Sequence, residues 1–402
     1  MSNTQKKNVP ELRFPGFEGE YSLDIFGNLA TNKSDKFNPQ NENASIDIEL
    51  DCIEQNTGRL IKIYNSKEFS SQKNKFNPQN VLYGKLRPYL NKYYFTKKSG
   101  VCSSEIWVLK STKEDKLLNL FLYYFIQTKR YSDVASKSAG SKMPRADWGL
   151  IENIRVYFPE LCEQQKIGEF FSKLDRQIEL EEQKLELLQQ QKKCYMQKIF
   201  LQELRFKDDN GNDYPEWEEK KLGELSQIVR GASPRPIKDP KWFNKESDIG
   251  WLRISDVTDQ NGKIYHLEQK LSIEGQEKTR VLLTTHLLLS IAASIGKPVM
   301  NFVKTGVHDG FLIFLNPKFN IFFMYYWLDY FKEKWSKYGQ PGSQVNLNSE
   351  IVKSQTLNMP SNHEQEKVGL FFSRNEKLIE LQQEKIMYLK RRKQALILKM
   401  FI

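Results

Sequence analysis

The chain has 402 residues, 39% of them hydrophobic and 28% charged; that is more than one hydrophobic core usually serves, so two domains are expected. No apolar run approaches the ~18 residues a membrane span needs, and Cys52, Cys102, Cys162 and Cys194 form no C-x-x-C pair, which fits neither a disulfide framework nor a zinc ribbon. The net charge of +11 favours a polyanionic partner.

The four cysteines are expected to be reduced and structural. At the start of the chain, "MSNTQKKNVPELRF" has no apolar h-region, so a cytoplasmic location is expected. A short leading segment follows, with "LRF" at Leu12 and "EYSLDIFGNL" at Glu20. "NPQN" occurs at Asn38 and again at Asn77, each time within "KFNPQN". It lacks the aromatic residue that adenine methyltransferases place after Asn-Pro-Pro, so no catalytic role is read from it.

"YGKLRPYLNKYY" from Tyr83 mixes Lys85, Arg87 and Lys92 with Tyr89, Tyr93 and Tyr94, and Pro88 breaks regular structure so that side chains can project. Guanidinium groups can bond bidentately to guanine edges, while lysine and tyrosine more often hold phosphates; an ordinary solvated basic edge has the same composition. "SSEIWVLK" from Ser103 alternates as a strand, and "LLNLFLYYFIQTKRY" from Leu117 reads as a helix. "GSKMPRADW" from Gly140 adds Lys142 and Arg145 in a loop.

Residues 163–200 then carry the most informative feature. They align without a gap to residues 364–401, with 15 of 38 positions identical. Placing a at Phe171, Ile178, Leu185, Lys192 and Ile199, and d at Ile167, Leu174, Glu181, Leu188 and Tyr195, gives a seam with eight apolar residues in ten. The second copy has Phe372, Ile379, Ile386, Lys393 and Met400 at a, and Val368, Asn375, Gln382, Leu389 and Leu396 at d. A 3.5-residue period held over five heptads predicts two long coiled-coil helices. The matching polar seam positions, Lys192 with Lys393 and Glu181 with Gln382, would fix register. Pro159 and Pro360 precede the copies, and Ser361 is a candidate N-cap with Glu364 as its capping-box partner.

The second half repeats the order of the first. "LRF" returns at Leu204, and "EWEEKKLGEL" at Glu216 parallels the segment at Glu20. "RGASPRPIKDP" from Arg230 is a Pro-rich basic loop carrying Arg230, Ser233, Arg235 and Lys238; Arg253 in "WLRISDV" and Lys297 are further basic candidates. "GFLIFLNP" from Gly310 and "NIFFMYYWLDYFKEKW" from Asn320 repeat the strand-then-helix order, and a "GS" at Gly342 matches that at Gly140. Residues 1–160 carry 24 basic and 18 acidic groups and residues 204–360 carry 21 and 19, so the first half is the more basic.

These observations predict a mixed α+β chain with a pseudo-two-fold internal repeat: globular domains at 1–158 and 204–359, and long helices at 159–203 and 360–402. A 38-residue helix is ~57 Å long, against ~40 Å for a compact domain of that size. The helices are therefore expected to pair antiparallel, with one domain at each end of a stiff shaft. Such a molecule could read two short DNA sequences at fixed spacing, and adding seven residues to each helix would widen that spacing. There is no G-x-x-x-x-G-K-[ST] loop, no H-E-x-x-H and no glycine-rich nucleotide turn, and the four histidines have no metal spacing.

Taken together, "LRFPGF", "KLRPYL", "YPEWEEKKLGEL", "GASPRPI", "WLRISDV" and the paired "EQQKIGEFFSKLDRQIE" and "EQEKVGLFFSRNEKLIE" resemble the specificity subunit (HsdS) of type I restriction-modification systems. The resemblance implies two target-recognition domains reading a split DNA sequence, and no catalytic residues in this chain. It implies spacer helices whose outward positions, such as Arg176, Lys377 and Arg391, face methyltransferase subunits, two of them. S-adenosylmethionine, ATP and Mg2+ would sit on those methyltransferase subunits and on restriction/translocase subunits, with no cofactor or metal bound here. "LDRQI" at Leu174 becomes "NEKLI" at Asn375, so partner contacts at the two ends need not match. The competing readings are a coiled-coil scaffold with two interaction domains and a self-sufficient DNA methyltransferase or nuclease.

Overall fold

The computed structural model describes residues 8–43, 45–137, 143–292, 295–338 and 347–402. It divides into two units, Met1–Gln183 with Gln383–Ile402, and Lys184–Gln382. Each unit thus holds a globular part and portions of two long helices, Leu161–Phe200 and Asn362–Met400.

In the first unit, strand Ser22–Ile25 pairs antiparallel with Arg155–Phe158, joining the start of the globular part to the strand just ahead of the first long helix. A four-stranded antiparallel sheet runs in the order Ala30–Thr31, Ile106–Ser111, Val81–Gly84, Tyr93–Phe95. A five-stranded sheet takes Lys36–Phe37, Lys73–Phe76, Gly100–Cys102, Ile46–Ile48 and Tyr64–Asn65 in that order, with a parallel pair between Gly100–Cys102 and Ile46–Ile48. The main core joins Phe26, Phe121, Phe125 and Tyr131 to Phe171 of the first long helix and Phe401 after the second.

The second unit repeats this plan. Glu218–Lys221 pairs antiparallel with Thr356–Met359, so the parallel between "EYSLDIFGNL" and "EWEEKKLGEL" is a strand followed by a one-turn helix, Phe26–Leu29 in one case and Leu222–Leu225 in the other. Its larger sheet has the order Gln227–Arg230, Phe311–Leu315, Leu287–Ser290, Pro298–Asn301, Lys263–Ile264, and a smaller one joins Gly250–Leu252, Thr305–Val307 and Arg280–Leu282.

The helix read at Leu117 breaks into Asn119–Phe125 and Lys129–Ala135, because Thr128 Oγ1 caps the second piece by accepting from Tyr131 N. Its counterpart Ile321–Phe331 stays whole behind an Asn320 cap. Both "KFNPQN" copies are a strand end followed by a turn in which Asn41 N donates to Asn38 O and Asn80 N to Asn77 O. The strands that carry them lie side by side, so the repeat is turn chemistry used twice.

The long helices run antiparallel in each unit. In the first, Phe171 meets Phe401, Asp175 meets Lys393 at 2.6 Å and Glu182 meets Lys390 at 2.7 Å. In the second, Phe200 meets Phe372 and Lys192 meets Glu376 at 2.9 Å. Both polar seam lysines therefore find a carboxylate on the other helix. Phe171, Leu174, Ile178, Phe372, Ile386 and Leu389 are buried as the heptad predicts, and Leu185, Leu188 and Ile379 are half-buried.

The heptad fails at the last d positions. Tyr195 is exposed and Met196 buried; Leu396 is half-buried and Ile397 buried. An α-helix drifts about 20° per heptad against a 3.5 repeat, so after four heptads the next residue has turned inward. The Ser361 cap is present, accepting from Glu364 N, but the Glu364 carboxylate is taken by Arg205 and Trp217, so the expected capping box is not the role of that side chain. Cys52 and Cys102 are buried, whereas Cys162 and Cys194 are exposed on the first long helix. No helix among the described residues is long and apolar enough to cross a membrane.

Candidate nucleic-acid interface

In the second unit, strand Gln227–Arg230 feeds the basic loop 230–238, which docks on the turn between Thr305–Val307 and Phe311–Leu315. Gly231 N donates to Phe311 O and Ala232 N to Val307 O. A Cβ at Gly231 would lie 2.1 Å from His308 O, so the close approach requires glycine. Arg230 Nε donates to Asp309 O at 2.6 Å, Ser233 Oγ to Asp309 Oδ1 at 2.8 Å and Arg235 Nη2 to Asp309 Oδ2 at 2.7 Å. Burial works against the ionised Asp309 carboxyl, but the Ser233 hydrogen bond and the charges of His308, Arg235 and Arg230 hold it below its ordinary value. Burial holds the His308 imidazole down, opposed by Asp309 and helped by both arginines.

Beside this loop is a concavity of about 660 Å3 lined by Lys238, Phe243, Trp251, Arg253, Gln269 and His308, among others. Arg253 forks the Asp256 carboxylate at 2.7 and 3.1 Å, and its own N–H donates to the same group, so the first turn of Ile254–Asp259 fixes its direction. An aromatic wall edged by guanidinium, amide and ammonium groups can stack on or hydrogen-bond to bases and neutralise phosphates.

In the first unit, "KLRPYL" and "PRADW" lie side by side. Arg87 N donates to Pro144 O and Ala146 N to Lys85 O, each at 2.8 Å, and Leu86 bridges Arg145. Lys85, Arg87, Tyr89 and Arg145 thereby share one edge, though the sequence separates them into two loops. Arg87 and Asn91 take left-handed backbone conformations on either side of the single turn Pro88–Leu90, and Arg87 and Tyr89 are exposed. Arg145 forks Glu105 at 2.9 and 3.2 Å. Lys142 lies outside the described residues, as do Gly140 and Gly342.

Two candidate lysines are committed elsewhere. Lys92 and Lys297 each stand just before the return strand of the same sheet position, Tyr93–Phe95 and Pro298–Asn301. Lys92 Nζ donates to Leu50 O at 2.5 Å and Lys297 Nζ to Val257 O at 3.3 Å. Part-buried carbonyls need donors, and burial, with Lys332 nearby, pulls the Lys297 ammonium below its ordinary pKa. Trp251, Gln269, His308 and Asp309 are not among the candidates that the sequence offers by basic composition; Trp251 opens "WLRISDV" and His308 is one of the four histidines without metal spacing. Among the described residues no group of three or more His, Cys, Asp and Glu could hold a metal.

The family described as type I restriction modification DNA specificity domain (Methylase_S) matches residues 20–190 and 214–391, one segment in each half. The specificity subunit of the type I restriction enzyme MjaVIII of Methanocaldococcus jannaschii is 26% identical over 310 residues, 72% of this chain and 71% of that protein. A solved chain from work on complex assembly and conformational transition of the type I R-M system has a TM-score of 0.60 at 17% identity, covering 94% of this chain and 96% of its own. The S subunit from M. genitalium has a TM-score of 0.57 at 13% identity, covering 98% and 99%. At those identities the two structures speak for the fold, and the two Methylase_S segments, which together span most of the chain, place it in the family of type I restriction-modification DNA specificity subunits.

Proposed function

We propose that this specificity subunit, itself non-catalytic, reads a split DNA target with two recognition domains, the globular parts within 1–158 and 204–359. The long helices, within 159–203 and 360–402, separate the two readings and dock the methyltransferase and restriction subunits. Those subunits supply the S-adenosylmethionine, ATP and Mg2+ chemistry. The observation that carries this reading is the duplication: each half has one Methylase_S segment and its own projecting basic loop. The two loops differ, Arg87 with Arg145 in one and Arg235 with Arg253 in the other, so the two half-sites should differ in sequence. Arg176 and Lys377 pair with i,i+3 carboxylates on their own helices and, like Arg391, are exposed, so these outward positions can meet another subunit.

The test is to co-express the chain with its methyltransferase partner in a methylation-free host and map methylated adenines by long-read sequencing. A split motif that vanishes when this chain is omitted supports the reading. No new motif from a soluble complex refutes it and favours a scaffold, which would also lack the steep loss of DNA affinity with salt. In the same assay Arg87→Ala and Arg235→Ala should each relax one half-site, by ~1–3 kcal/mol of base discrimination if the arginine is bidentate to guanine. Uniform weakening across all sequences would make them phosphate anchors.

A further inference from the structure

Asp309 is an acidic group set among the cations of a surface read as DNA-facing, where on charge alone it should oppose binding. Its geometry shows what it does there. Both carboxylate oxygens and the main chain are used by the basic loop, Ser233 donating to Oδ1, Arg235 to Oδ2 and Arg230 to the carbonyl, while the neighbouring His308 Nδ1 lies 3.0 Å from Oδ1. Asp309 N donates back to Ser233 Oγ at 3.1 Å, so the serine is held from two sides. The turn that carries Asp309 is itself fixed, since Gly310 N donates to His308 Nδ1 at 2.8 Å and Phe311 N to His308 O.

We propose that Asp309 is a positioning residue for sequence readout: it fixes Arg230, Ser233 and Arg235 in one arrangement before DNA arrives. This rests on the specificity reading given above. A guanidinium has five donors in a rigid fork. Asp309 takes one Nη2 bond of Arg235, whose side chain is 70% exposed, and leaves the rest of the fork for a base edge. An unrestrained arginine would lose rotamer freedom on binding and could settle on any phosphate or guanine within reach. Arginine held at one angle discriminates between bases. Asp309 therefore lowers general affinity and raises specificity, and these opposite effects separate positioning from a merely structural role.

The experiment uses the complex of the full chain with its methyltransferase partner, comparing wild type, Asp309→Asn, Ser233→Ala and Arg235→Ala. Methylome mapping reads base preference at each motif position; equilibrium binding to duplexes with and without the motif reads affinity. Asp309→Asn should relax the half-site that Arg235→Ala relaxes, by about tenfold in base preference, and leave the other half-site intact. Its affinity for motif-free DNA should hold or rise. Ser233→Ala should move the same positions in the same direction to a smaller extent. An unchanged motif in Asp309→Asn overturns the proposal, as does parallel loss of specific and non-specific binding in both Asp309→Asn and Ser233→Ala. Absence of a split motif with the wild-type chain would instead remove the specificity reading itself, and the proposal with it.

Discussion

Replacing Glu376 with alanine should lower the unfolding midpoint of the second unit by at least about 6 °C, from a loss of ~3–5 kcal/mol when one partner of a buried charge group is removed. Glu376 accepts from Lys192 at 2.9 Å, from Lys263 at 2.5 Å and from the Tyr326 hydroxyl at 2.7 Å. The two lysine side chains are only 15% and 14% exposed. Without the carboxylate they would face each other as like charges in a poorly solvated site. Asp329 stands 3.8 Å from Lys192, too far for a charged hydrogen bond. In the first unit, Asp175 takes the equivalent place but serves one lysine, Lys393, with Tyr124, so Asp175→Ala should cost less. Scanning calorimetry gives the midpoints, and hydrogen exchange in the helix Ile321–Phe331 assigns the change to the second unit. An unaltered midpoint would show the group to be better solvated than its burial implies.

The same site sets a pH dependence. Burial works against the Glu376 carboxylate, but Lys192, Lys263 and Tyr326 outweigh it and hold its pKa below the ordinary 4.5. A carboxyl whose folded pKa lies below its unfolded value adds stability above the unfolded pKa and loses it as pH falls through the folded one. The acid side of the stability profile should therefore flatten in Glu376→Gln, with the difference from wild type closing below about pH 4.5.

What the sequence revealed and what it hid follow from how far apart the interacting residues lie. The heptad was readable because its period is local, and Lys192 and Lys393 stood out as polar residues on an apolar seam. That they meet Glu376 and Asp175 was not readable, since Glu376 falls one residue beside the predicted seam and the pairs span more than 180 residues. The basic loops were visible by composition, yet composition does not distinguish Arg235, which points outward, from Lys92 and Lys297, which turn to carbonyls of their own domain. Lys73 shows the same limit: it lies in a Lys- and Asn-rich stretch but is 1% exposed, bonded to Asp47 and Glu49. The concavity beside Arg253 draws on four separate segments and left no single motif.

The repeated "LRF" makes the strongest link between duplicated sequence and duplicated stability. Arg13 forks Glu163 at 2.8 and 2.7 Å, and Arg205 forks Glu364 at 3.2 and 2.8 Å. Tyr21 adds a hydrogen bond to the first carboxylate and Trp217 to the second. Both glutamates have fully buried side chains and sit in the first turn of a long helix, where the helix dipole favours an anion. Each leading segment is thus locked to the start of a helix about 150 residues away. Arg13→Ala should destabilise the first unit and Arg205→Ala the second, each by ~2–3 kcal/mol, because a buried carboxylate is left without its counter-ion. The figure is at the low end because the arginine side chains are 13% and 19% exposed. Lysine should rescue poorly at either position, having no planar fork. Hydrogen exchange resolved by peptide should show each loss confined to its own unit. At a temperature where the variants remain folded, the methylated motif should be that of the wild type, since neither arginine lies in a reading loop. A changed half-site in Arg13→Ala or Arg205→Ala would mean that these clamps also set how the recognition loops are presented.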